Sequence, residues 1–178
     1  SDFAIAMIAD RSIEKKDYPN DIKVTTNPMD IPNDSSISIV IELLGGVELP
    51  YKIITESIKN KKHVITANKA LLAEHGDKIF RLARENNVYF GFEASVAGAI
   101  PIISTLMKNM ANENIISIVG IINGTCNYIL DQMSSNNISF NDALMSAKNL
   151  GYAEADPTFD INGMDAAHKI SILSSLVY

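Results

Sequence analysis

At 178 residues the chain is long enough to bury a substantial core and to form one or two domains. It is 47% hydrophobic and 20% charged, and 15 basic against 21 acidic side chains leave a net charge of −6, which excludes a general nucleic-acid binder because counterion release needs clustered Lys and Arg. One cysteine, Cys126, excludes a disulfide framework and a cysteine-based zinc site, and no apolar run approaches the roughly 18 residues of a membrane span.

Phe3 to Ala9 is a short continuous apolar run, the pattern of a strand buried on both faces. It opens without a charged leader, so no targeting peptide is expected and a reducing, cytoplasmic setting follows. Residues 14–36 are polar, carry Pro19, Pro28 and Pro32, and read as loop with a short strand at Ile22 to Thr25. Ile37 to Leu44 is a second apolar strand closed by Gly45-Gly46, and Pro50 starts a helix that runs to about Asn60. The cluster Lys59, Lys61 and Lys62 sits at that helix end, where cations complement the dipole. His63 to Thr66 reads as a third strand and Lys69 to Asn86 as a second helix. Strand, helix, strand, helix predicts a parallel, doubly wound sheet.

The character changes after Asn87. Val88 to Phe92 and Ile115 to Ile122 read as strands flanking an apolar helix near Ile100 to Met110. Further helices are expected over Thr125 to Ser134, Ser139 to Leu150 and Gly163 to Val177. The fold class is therefore α/β, a partial Rossmann-like parallel sheet over 1–92 followed by an α+β substrate and dimerisation domain over 93–178. Both ends look cut within a fold: the first strand lacks a partner and the last helix stops in mid-pattern.

Dinucleotide folds carry G-x-G-x-x-G after the first strand and an acid about 20 residues further on for the ribose. No such glycine triplet occurs here. Asp10 ends the first apolar strand where that acid would be, or it caps the next turn; Arg11 beside it could meet a 2′-phosphate. Lys69 lies just beyond a strand's carboxyl end, where open α/β sheets bind ligands; a solvated lysine at a helix start is the alternative. In Gly151-Tyr152-Ala153-Glu154-Ala155-Asp156-Pro157, then Asp160, then Asp165-Ala166-Ala167-His168-Lys169, acids and a lysine crowd together. Asp165 and Lys169 share a helix face at i and i+4, either as a surface ion pair or as a proton shuttle whose lysine is desolvated at the edge of the Ile170, Leu173 and Leu176 stripe. Asn123-Gly124-Thr125 is a plain cap or a donor nest. A calcium loop at Asp160 to Ser171 fails, since its sixth position is Asp165 and its twelfth Ser171.

Six blocks in order carry a resemblance over nearly the whole chain: VIELLGG at 40–46, VITANKALLA at 64–73, FEASVAGAIPII at 92–103, GIINGTCNYIL at 120–130, LGYAEADPT at 150–158 and DINGMDAAHK at 160–169. In them the sequence resembles the homoserine dehydrogenases. The resemblance implies NAD- or NADP-linked interconversion of L-homoserine and L-aspartate 4-semialdehyde, towards threonine and methionine. It implies that Lys169 is the acid/base and that Lys69 contacts cofactor and substrate and helps depress the pKa of Lys169. It further implies that Glu154 and Asp165 hold the substrate amino group, and that Gly45 and Gly151 lie beside the cofactor; Asp10 and Arg11 are the cofactor-binding candidates read from the end of the first strand. The turn from Glu93 to Ile100 resembles the family's monovalent-cation loop, implying a structural sodium ion with ligands at Glu93, Val96, Gly98 and Ile100, three of them backbone carbonyls. A homodimer paired through Ile115 to Ile122 is implied as well. The family's glycine-rich loop and C-terminal segment are absent from these 178 residues, which predicts weak cofactor binding and little turnover for them alone. Two other readings are another semialdehyde or sugar oxidoreductase on the same scaffold, and a non-enzymatic remnant that binds a partner through a sheet edge.

Overall fold

The computed structural model describes residues 3–13 and 16–178. It consists of two compact units, Ser1–Ser95 and Val96–Tyr178. In the first, β1 (Met7–Ala9) pairs in parallel with β2 (Lys23–Thr25), and a four-residue helix α1 (Asp30–Asn33) follows. Then β3 (Ile39–Glu42), α2 (Glu48–Lys59), β4 (His63–Thr66), α3 (Lys69–Asn86) and β5 (Phe90–Gly91) form a parallel three-stranded sheet in the order β3-β4-β5. This is the expected α/β winding, and the bounds of β4 and α3 agree with the sequence reading.

The β strands are short runs of β-branched residues, and their period of two divides them into an inner and an outer face. Val40, Glu42, Val64 and Thr66 point inward and are buried, whereas Ile39, Ile41 and Ile65 stay exposed. The inner face packs with α2 and α3, whose Ile53, Ile54, Ile58, Leu71, Leu72, Ile79 and Ala83 build the core of this unit. Asn68 starts α3 by accepting from the Leu71 N–H, and left-handed Asn87 ends it.

Four expectations are corrected here. β1 has a partner, β2, and it is shorter than the apolar run, with Phe3 and Ile5 exposed rather than buried. The stretch 14–36 holds α1, which tolerates Pro32 because proline's missing N–H is an orphan within a first turn anyway. Lys62 is no solvated dipole partner: it is buried and its ammonium donates to the Asp34 and Ile37 carbonyls. Ile115 to Ile122 forms no strand; among the described residues the second unit has none. A strand needs a neighbour for its N–H and C=O groups, and this apolar stretch pairs with none among the described residues, with Ile116 and Val119 almost fully exposed.

The second unit is otherwise helical. α4 (Ile102–Ser104) continues into a π-helical turn at Thr105–Asn109. α5 (Gly124–Asn136) and α6 (Phe140–Asn149) pack together through Ile129, Ala143, Ala147 and Ala153, alanines that let the helices approach closely. Two short loops then frame α7 (Thr158–Ile161) and α8 (Met164–Val177).

Candidate active site

Three chain segments of the second unit meet around one ion pair. Asp165 falls in the first turn of α8, where the helix dipole favours a carboxylate, and Lys169 follows one turn later. Their Nζ and Oδ2 atoms are 2.7 Å apart, with the lysine side chain 16% and the aspartate 3% exposed. The ammonium also donates to the Ile122 carbonyl at 2.7 Å. Burial holds the pKa of Lys169 below the ordinary lysine value, while the Asp160 carboxylate pulls it the other way.

Asp160 arrives on α7, a helix whose start is fixed by Asp156 accepting from the Thr158 N–H and hydroxyl. Asn123 caps α5 by accepting from the Cys126 N–H, and its amide donates to Asp160 Oδ1 and Asp165 Oδ2, both at 2.8 Å. The Thr125 hydroxyl donates to the Tyr152 carbonyl, which ties the start of α5 to the end of α6. The Cys126 thiol donates to the Asp160 carbonyl, and burial pushes its pKa up, which favours the protonated thiol. His168 meets Phe159 edge-on at 5.5 Å, and its Nδ1 is buried without a hydrogen-bond partner among the described residues.

Asp165 and Lys169 are thus brought together, and the surface-pair alternative is set aside by their burial. Glu154 is exposed in the connection between α6 and α7. Gly151 is left-handed, with φ +79° and open space where a Cβ would stand. It closes α6 as a Schellman motif: its N–H donates to the Lys148 carbonyl and the Tyr152 N–H to Ala147 at 2.8 Å.

In the first unit, Lys69 is the first residue of α3, at the carboxyl end of β4. Asn68 before it donates to the Leu44 and Gly46 carbonyls, and the buried Glu42 accepts from the Thr66 hydroxyl and the Leu44 N–H. The loop holding Gly45 is thereby fixed from two sides, with nothing near the position of a Gly45 Cβ. Asp10 accepts from the Ser12 N–H, the Lys16 ammonium and the Tyr18 hydroxyl. These donors, Lys16 foremost, hold its carboxyl well below the ordinary carboxylate range. Arg11 is exposed.

Glu93 opens the 3₁₀ turn Glu93–Ser95 that ends the first unit. Val96 is buried, and Gly98 and Ile100 are exposed in the loop that opens the second. Ala97 and Ala99 both have positive φ, a conformation that costs a non-glycine residue energy and persists where the surroundings demand it. Among the described residues no group of three or more His, Cys, Asp or Glu side chains could hold a metal ion.

Sequence reasoning gave Glu42 no role, and it counted Asp160 in the acidic cluster without assigning it a partner. Glu42 was detectable, because it shares strand parity with the inward Val40. The site partnership of Asp160 depends on the turn of α7, for which only Asp156-Pro157 gave a signal.

A parallel sheet wound with helices, followed by a helical unit holding a part-buried lysine–carboxylate pair, gives the chain the α/β architecture shared by dinucleotide-binding folds. Residues 1–93 match the homoserine dehydrogenase NAD-binding domain, and residues 101–178 match the homoserine dehydrogenase domain. The chain belongs to the homoserine dehydrogenase family. It is 45% identical to homoserine dehydrogenase from Pseudomonas aeruginosa over 174 residues, 98% of this chain and 40% of that protein. The crystal structure of a homoserine dehydrogenase from Thiobacillus denitrificans superposes with a TM-score of 0.86 at 45% identity, covering 97% of this chain and 40% of the other. A hyperthermophilic archaeal homoserine dehydrogenase in complex with NADPH gives a TM-score of 0.77 at 32% identity, covering 85% and 47%. The chain spans about two fifths of the length of the Pseudomonas relative.

Proposed function

We propose that the protein interconverts L-homoserine and L-aspartate 4-semialdehyde with NAD or NADP, and that Lys169 is its acid/base. The observation that carries this reading is the buried Lys169–Asp165 contact of 2.7 Å, in which the lysine's pKa is lowered by burial. A lowered pKa makes it easier for the amine to release its proton, as an acid/base must. A bound nicotinamide supplies the hydride chemistry at the substrate carbon. Lys169 takes the hydroxyl proton of homoserine in the oxidation and returns it to the aldehyde oxygen in the reduction. Asp165 holds the lysine in place, and Asp165 with Glu154 receives the substrate ammonium.

Gly45 and Gly151 fit a cofactor because neither carries a side chain and each faces open space, which permits close approach to backbone. Lys69, at the sheet's ligand-binding end, serves cofactor and substrate; Asp10 and Arg11 serve the ribose end. A sodium ion suits the Glu93 carboxylate with the Val96, Gly98 and Ile100 carbonyls, since hard cations take oxygen donors. We also place the protein in the cytoplasm as a homodimer. No described helix is long and apolar enough to cross a membrane.

The test is NADPH oxidation by the full-length protein with aspartate semialdehyde against other semialdehydes and sugars. Aspartate semialdehyde should be preferred, and Lys169→Ala should lower kcat by about 10²-fold or more with NADPH binding retained. Preference for a sugar, or lost binding with kcat intact, would overturn the reading.

A further inference from the structure

We propose that Asn123 is a positioning residue for Lys169, its carboxamide fixing the carboxylate oxygen that the lysine ammonium engages. The inference rests on the acid/base reading of Lys169 and deepens it.

Asn123 is 7% exposed, and its side chain bonds through both the oxygen and the nitrogen. Its oxygen accepts from the Cys126 N–H, and its nitrogen donates to Asp160 Oδ1 and to Asp165 Oδ2. An amide nitrogen has two hydrogens, so both are engaged. Capping α5 needs only an oxygen acceptor, which Ser, Thr or Asp supplies as well. The donor half of the side chain is therefore surplus to capping, and its two acceptors lie on α7 and α8.

Asp165 Oδ2 receives both the Asn123 amide and the Lys169 ammonium. The preceding residue, Ile122, gives its carbonyl to the same ammonium. Two consecutive residues thus grip both members of the ion pair: the Ile122 backbone holds the cation and the Asn123 side chain holds its counter-ion. A neutral donor between Asp160 and Asp165 also lets two carboxylates share a pocket without a further charge. An aspartate there would cap equally well but add a third negative charge and remove both donors. The titratable groups of this unit around the pair are Asp160 on α7, Asp165 and His168 on α8, and Cys126 on α5, which bonds the Asp160 carbonyl.

The test compares Asn123→Ser and Asn123→Asp, both competent caps. The Lys169 amine is titrated by NMR on the full chain labelled at lysine Cε, with Lys169→Arg identifying its signal and far-ultraviolet circular dichroism reporting the helices. Both variants should keep helical content and raise the Lys169 midpoint, the Asp variant by about one pH unit, a tenfold change in the dissociation constant. In the full-length enzyme the kcat/KM profile should shift alkaline by the same amount, with kcat falling more than KM rises. An unchanged midpoint in both variants would confine Asn123 to capping and overturn the proposal. Loss of helical signal in both would assign the amide to the fold alone and overturn it equally. A shifted midpoint in an enzyme without homoserine-dependent turnover would sink the reaction assigned above while leaving the positioning role standing.

Discussion

Replacing Lys169 by methionine keeps the length and apolar stem of the side chain and removes only the charge. Asp165 would then stay 3% exposed without its cation. Breaking a buried ion pair from one side costs about 3–5 kcal/mol. Two features of this site reduce that figure: Asn123 still donates to the same oxygen, and the lysine end is 16% exposed. The expected loss is about 2–3 kcal/mol at neutral pH. Its pH dependence has a definite sign. A buried carboxylate that has lost its cation is penalised only while charged, so acidification should shrink the deficit. In the parent, folding lowers the Lys169 pKa, so the folded state binds fewer protons than the unfolded state between that lowered value and 10.5. Parental stability therefore gains from rising pH across that window, a gain the variant lacks. Urea unfolding followed by circular dichroism at acid, neutral and alkaline pH measures the difference. A variant as stable as the parent at neutral pH, or a deficit that ignores pH, would refute the reasoning.

The same lowered pKa shapes the kinetics. Homoserine oxidation should rise with pH and aldehyde reduction should fall, with a common midpoint below 10.5; a limb at or above ordinary lysine would contradict this. Gly151→Ala meets no neighbouring atom but forces φ +79° on a side chain, so it should destabilise by about 1–2 kcal/mol in denaturant unfolding. Asn68→Ala should cost about 0.5–2 kcal/mol through the lost α3 cap. Asn68→Asp should recover that stability yet leave the loop at Leu44 and Gly46 less protected in amide exchange, because the donor to both carbonyls is gone.

Elements with strong local signals were legible: β4 is a β-branched run, and α3 has an asparagine cap and a sustained apolar period. Ile115 to Ile122 has the composition of a strand, but a strand is a property of two chain segments and composition describes one. α1 and α7 are single turns, below the length at which periodicity can speak. At the site, the i, i+4 spacing of Asp165 and Lys169 was readable. Its burial, and the convergence of Asn123 and Asp160 on it, arise from packing between helices distant in sequence.

Glu42, Thr66 and Asn68 join the crests of β3 and β4 into one lip: a carboxyl oxygen meets a hydroxyl, and one carboxamide reaches two carbonyls across the gap. A molecule settling on either crest would find the other already in place. The entropic toll of ordering that loop has been met during folding, so any ligand bound at this edge of the sheet would gain from a hydroxyl and an amide already committed to contacts within the protein.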